Sequence, residues 1–298
     1  MSAKSLKLST ISFIALLTLA GNAFAADEVT IATTEVADQI FMLTGQGGNI
    51  GLFTGPDGTF LIDDQYAPLT DKIVAAIKQA GGDWPKFLIN THYHGDHTGG
   101  NENLGGKGTL IFAHDNVREQ LLSGSYLAAF DKSSPPAPQS ALPVVTFAEE
   151  ITFHLNGDTV HADHVAHAHT DGDSIIHFKQ ANVIHAGDVF FNGFYPFIDV
   201  DHGGTLRGII IAADKILALA DDQTKIIPGH GPLGDKAELS RYRDMLWTAY
   251  TLLKALKIAG KTVEEAVEMK PLADLEAEWG DGLFKGDNWI AIIYPGVY

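Results

Sequence analysis

The 298-residue chain is 45% hydrophobic and 19% charged, with a formal net charge of −17. The apolar share supports a sizeable buried core, and the acidic excess leaves no basic stripe for nucleic acid or for an anionic membrane surface. Cysteine is absent, which excludes thiol nucleophiles, cysteine-rich zinc sites and disulfide frameworks, so any metal must rest on histidine and carboxylate.

Lys4 and Lys7 precede an apolar run from Ile11 to Ala20 and a small-residue step, Ala23-Phe24-Ala25. That run is roughly half the length a membrane-spanning helix needs, and no stop-transfer stretch follows it. Residues 1–25 are therefore expected to be a secretory signal peptide cleaved after Ala25, leaving a secreted or periplasmic protein of residues 26–298 without stable membrane insertion. Removal takes two lysines and no acid, so the mature chain is more acidic still.

Within the mature chain, Ile50 to Thr54 and Thr59 to Asp63 flank Gly55-Pro56-Asp57-Gly58 and predict a hairpin. Ile73, Val74 and Ile77 share one face of a helix predicted over 69–79, stopped by Gly81-Gly82. A strand over 86–90 runs directly into Thr91-His92-Tyr93-His94-Gly95-Asp96-His97. A strand (109–113) and a helix (116–122) follow. Residues 131–143, with four prolines, are expected to form a surface loop, either a flap or a connector. Strands are expected at 151–155, 159–162, 174–178 and 183–186, a helix at 205–220, and a short strand at 225–227 ending in Pro228-Gly229-His230-Gly231. Helices over 236–258 and 262–269 close most of the chain. No short-period repeat or linker divides it, which predicts one domain.

His92, His94, Asp96 and His97 form an H-x-H-x-D-H cluster. Residues two apart in an extended segment point the same way, so His92 and His94 can bite one ion together, while Asp96 and His97 serve a second as the chain turns. Imidazole nitrogen and carboxylate oxygen are what zinc accepts when thiolate is lacking. Three later residues, His169, Asp188 and His230, each stand beside glycine where an apolar strand is expected to end.

In order, spacing and flanks these residues resemble the metallo-β-lactamase superfamily of binuclear hydrolases, over nearly the whole mature chain. The resemblance implies an α/β fold, a four-layer αβ/βα sandwich with the metals at one edge of the two sheets. It implies that His92, His94 and His169 hold one zinc ion, that Asp96, His97 and His230 hold a second, and that Asp188 bridges them, with Asp96 catalytic through orienting the attacking water. Asp63 matches an aspartate that ends an early strand in the family and would brace the metal-binding loop; as an ordinary strand-end aspartate it would only begin a turn.

The implied reaction is hydrolysis of an ester, thioester, lactone or amide in a small molecule, needing no serine nucleophile. Zinc β-lactamases commonly have Cys or Ser where Asp188 stands, and Asp there is closer to glyoxalase II and lactonases. Val189-Phe190-Phe191 offers neither a lysine for a β-lactam carboxylate nor the tyrosine that lactonases often supply. Periplasmic β-lactamase activity stays as an alternative, as does a persulfide dioxygenase, which would use one iron on a similar ligand set. Flavodiiron proteins typically carry Glu where His94 stands, and no ligand is missing as a non-catalytic zinc module would predict. His164 and His167 fall near the site, and His114, His154, His161, His177 and His185 near strands; all are expected to be structural. The aromatic stretch from Phe190 to Pro196 is a candidate substrate wall, and His202 stays open between a structural and a site role.

Overall fold

Alternation along single strands sets the layering. In the strand Thr59–Ile62, Phe60 and Ile62 face one way and Leu61 the other, as a pleated strand buried on both faces requires. Phe60 and Ile62 join Phe53, Ile89 and Phe112, and meet Val160, Ile176, Phe178 and Ile227 from a second sheet. Leu61 packs with Leu52 and Leu88 against Ile73 and Ile77 of the helix Thr70–Gln79. On the far side, Ile175 and Ile184 pack with Ile209 and Ile216 of the helix Leu206–Leu219 and with Tyr242 and Leu246 of Lys236–Ile258. The result is helix, sheet, sheet, helix.

The computed structural model describes residues 29–298, and the segment read as a signal peptide lies outside the described residues. The first sheet has the spatial order Ala32–Ala37, Ile40–Thr44, Ile50–Phe53, Thr59–Ile62, Pro85–Ile89, Leu110–His114, Val145–Phe147; its first four strands are antiparallel and the rest parallel. The second has the order Glu150–Leu155, Asp158–His164, Ser174–Phe178, Val183–Phe191, Lys225–His230, Gly234–Asp235, with only Val183–Phe191 and Lys225–His230 parallel. Among the described residues no helix is long and apolar enough to cross a membrane.

The hairpin, the helix ending at Gln79 and the long helix Lys236–Ile258 stand where the sequence places them. The last starts at Asp235, whose carboxylate accepts from the backbone of Ala237 and Glu238 while the Glu238 carboxylate accepts from the backbone N–H of Asp235. Three expectations need correction. Two further strands, Ala32–Ala37 and Ile40–Thr44, precede the hairpin, so four strands and not the two of the hairpin stand before the first helix; Ala32–Ala37 is polar and has no apolar pattern to announce it. The segment 131–143 is not simply a loop: Lys132–Ser134 pairs antiparallel with Ser125–Leu127. The strand expected at 183–186 runs on to Phe191, buried throughout.

Candidate metal centre

The strand Pro85–Ile89 delivers the chain into buried Asn90 and Thr91, then His92 and His94, and one helical turn, Gly95–Thr98, carries Asp96 and His97. The second sheet supplies His169 from the loop before Ser174–Phe178, and His230 as the last residue of Lys225–His230. Asp188 does not end its strand as the sequence implies but lies within Val183–Phe191. It turns into the site because the strand kinks at Gly187, whose φ of +50° suits glycine and where a Cβ would sit 2.8 Å from the Thr91 side chain. Hydrogen bonds from Ser174 N to Thr91 O (2.8 Å) and from Asn49 N to Gly229 O (2.7 Å) lock the contributing loops of the two sheets together.

All seven predicted residues converge. They form two groups that could hold metal ions, His92, His94, His169 with Asp188, and Asp96, His97 with His230, each with its ligand atoms within 4.8 Å of one another. His94 Nδ1 lies 3.1 Å from His92 Nε2 and 2.9 Å from His169 Nε2. Asp188 Oδ2 is 3.4 Å from His169 Nε2 and 3.5 Å from His230 Nε2, and Oδ1 is 3.1 Å from His97 Nε2. Asp96 Oδ2 is 3.3 Å from His230 Nε2. A further group, Glu150, His161 and Asp163, is partly exposed, and Lys215 Nζ already neutralises Asp163 at 3.0 Å.

The far side of each ring decides what faces the centre. His169 Nδ1 stands 2.7 Å from the Phe197 carbonyl, which only accepts, so Nδ1 carries the proton and Nε2 presents a lone pair inward. His94 Nε2 is 3.0 Å from the Asp199 carboxylate, and His97 Nδ1 is 2.8 Å from that of Asp63. The Thr91 hydroxyl donates to Asp63 at 2.8 Å, which leaves its oxygen to accept from His92 Nδ1 at 3.0 Å. Ring nitrogens of His92, His94, His97 and His169 and the carboxylates of Asp96 and Asp188 thus face one another, and Asp188 Oδ1, though near His97, is buried without a hydrogen-bond partner. Imidazole nitrogens and carboxylate oxygens aimed at one point are the donors a metal ion takes in exchange for the protons that otherwise balance them, so these residues fit metal ions.

The same charges govern protonation. Burial lowers the His92 imidazole well below its ordinary value, helped by His97, and takes His169 down to about 4. Burial also opposes a charge on His97 and His230, but Asp188 outweighs it in both, holding His97 well above the ordinary value and His230 at about 9. Burial would raise the Asp188 carboxyl; the surrounding imidazoles, His97 foremost, instead hold it well below the carboxylate range.

Asp63 braces the loop and does not reach the ligand groups. It is fully buried, takes the left-handed backbone region at φ 63°, and accepts from Thr91 N, the Thr91 hydroxyl and His97. Asp199 plays the matching part for His94, and also accepts from the Tyr93 hydroxyl at 2.5 Å and pairs with His202 Nδ1 at 2.9 Å. His202 lies outside the ligand groups and touches Asp199 and the Tyr93 ring. Nothing in the sequence marks Asp199, 105 residues from His94. Asp199→Asn should weaken metal binding about 10- to 100-fold by taking the anionic acceptor from His94; a chelator-competition titration reads this, and unchanged affinity would remove Asp199 from the centre's support.

Of the histidines expected to be structural, His161 belongs to the further group with Glu150 and Asp163, and three others are held by contacts within the protein. His185 is buried with Nε2 3.1 Å from Asn49 O, and His164 stacks on His114 at 3.7 Å. His94, Asp96, Asp188 and His230 form the floor of a cavity of about 460 Å³, within the range of small-molecule sites. Of the expected aromatic wall, Phe191 and Phe194 line it, whereas Phe190 packs in the core against Tyr242. Phe130 and Phe197 complete the wall, with ring centroids 4.9 Å apart.

Residues 43–231 match the profile of the metallo-beta-lactamase superfamily. A search of curated proteins finds no match. Among solved structures, the chain is similar to a metallo-beta-lactamase from Pontibacter korlensis, with 19% identity and a TM-score of 0.57, covering 73% of this chain and 99% of that one. It is similar also to the DIM-1 metallo-beta-lactamase, with 18% identity and a TM-score of 0.60, covering 74% of this chain and all of that one. At such identities the likeness concerns the fold, which agrees with the layered sandwich described above. With a profile match across both sheets and a His/Asp cluster able to bind metal at their shared edge, the chain belongs to the metallo-beta-lactamase superfamily of generally hydrolytic enzymes.

Proposed function

We propose that the protein is an exported binuclear zinc hydrolase that cleaves an ester, thioester, lactone or amide bond in a small molecule. His92, His94 and His169 would hold one ion and Asp96, His97 and His230 the other, with Asp188 between them. The observation that carries this is the set of ring nitrogens and carboxylates turned toward one another at the floor of an aromatic-walled cavity. Zinc bound there supplies Lewis acidity and makes water acidic enough to react near neutral pH.

The chain's own residues do the rest. Asp96 lines the cavity and its carboxylate is held ionised, because His97 and His230 overcome the effect of burial. It therefore accepts hydrogen bonds only, and orients the attacking water with its lone pairs toward the substrate carbonyl. Phe191, Phe194 and Phe197 exclude bulk water and seat an apolar body of the substrate.

The test is metal analysis of the purified protein with a hydrolysis panel: a chromogenic cephalosporin, a glutathione thioester, an acyl lactone and an aryl ester. About two zinc per chain with turnover of an ester, thioester or lactone is the expected result. EDTA should abolish that turnover and zinc restore it. Turnover of the cephalosporin alone would make the protein a β-lactamase, and one iron with oxygen uptake and no hydrolysis would make it an oxygenase.

A further inference from the structure

The cavity walls carry one residue that the hydrolytic reading leaves unused. Among the described lining residues Lys132 has the one permanent positive charge. Lys132 has no acidic partner, and its ammonium instead stands 5.7 Å from the centroid of the Tyr66 ring, itself a cavity wall.

Its position is set by the hairpin that the sequence does not announce. Lys132 pairs with Leu127 across the two strands, and the Tyr126 hydroxyl donates to Asp131 at 2.9 Å, closing the turn. Phe130 clamps the tip, its ring 4.9 Å from that of Phe197 and 5.8 Å from that of Phe284. The cation is therefore presented to the cavity by a braced element, opposite a floor made of metal-binding side chains.

We propose that Lys132 is a specificity-determining residue that receives an anionic group, a carboxylate, at the end of the substrate remote from the bond cleaved. The apolar body then lies against Phe130, Phe194 and Phe197. An acidic protein repels anions at long range, so an anionic substrate needs a local cation, and an unpaired ammonium beside an aromatic wall supplies one without first breaking an internal ion pair.

The inference rests on the hydrolytic reading, and the experiment separates the two. With zinc-loaded protein, KM and kcat are measured for the mono-4-nitrophenyl ester of terephthalate and for its carboxamide analogue. Wild type should show a KM about tenfold lower for the carboxylate, an advantage that shrinks with added salt because Lys132 is partly solvated. K132M should erase that advantage while leaving the carboxamide KM and both kcat values unchanged, and K132R should keep it. An equal preference for the carboxylate in K132M would overturn the proposal. If neither ester is hydrolysed, the proposed reaction fails on its own; calorimetric binding of terephthalate and terephthalamate to wild type and K132M then decides the anchor. Loss of terephthalate binding in K132M supports it, and undiminished binding overturns it.

Discussion

Asp188→Ala should cost at least about a thousandfold in turnover and should lower the metal content of the purified protein. Its carboxylate stands within 3.5 Å of imidazole nitrogens of His97, His169 and His230, with its other contact to His92 Nε2 at 3.7 Å. Among the described residues no other acid reaches both donor groups, so alanine leaves the imidazoles of the two with no shared negative charge. Asp96→Ala makes the contrast. That carboxylate faces the second group only, at 3.3 Å from His230 and 3.7 Å from His97. It should retain metal on His92, His94 and His169 while losing turnover, because the attacking water is no longer oriented. Inductively coupled plasma mass spectrometry on both variants, beside their rates, separates the roles. Full metal content and activity in Asp188→Ala would refute the bridging assignment, and full activity in Asp96→Ala the catalytic one.

Asp63→Ala is expected to lower stability by about 3–5 kcal/mol, the usual cost of removing one partner from a buried charged pair. The loss strands the backbone N–H and hydroxyl of Thr91 and Nδ1 of His97, each 2.8 Å from the carboxylate and all buried. Alanine also tolerates a φ of 63° less well than aspartate. Urea unfolding of the metal-free protein isolates this cost from any change in metal binding. Asp63→Asn, which keeps an acceptor oxygen and the backbone preference, should lose about 1–3 kcal/mol. A change below about 1 kcal/mol in the alanine variant would show that the loop is held by other contacts.

Both residues show how the legibility of this chain divides. The cluster from His92 to His97 reads directly from the sequence, because its candidate ligands lie within five residues of one another and one strand-to-helix turn is enough to gather them. His169, Asp188 and His230 read only through likeness to a family, since nothing local states that three positions so far apart in the chain meet. Asp63 was visible as a strand-end aspartate with two possible meanings, and its burial, its φ and its three partners chose between them. Asp199 and Phe197 were not visible: an aspartate or phenylalanine in a loop has no signature until a ring nitrogen is placed against it.

Period-2 alternation, the Gly-Pro-Asp-Gly turn, the 3.6-residue periodicity of the helices and the His/Asp cluster from His92 to His97 are determined by the sequence itself, because each is a property of neighbours along the chain. Only the tertiary structure decides that Asp188 sits within a strand kinked at Gly187 rather than at its end, that residues 125–134 fold as a hairpin bringing Lys132 to the cavity, and which nitrogen of each histidine faces inward. Those outcomes depend on contacts between segments tens to a hundred residues apart, whose energies are fixed by packing and by the partner on the far side of each ring, and no local pattern encodes them.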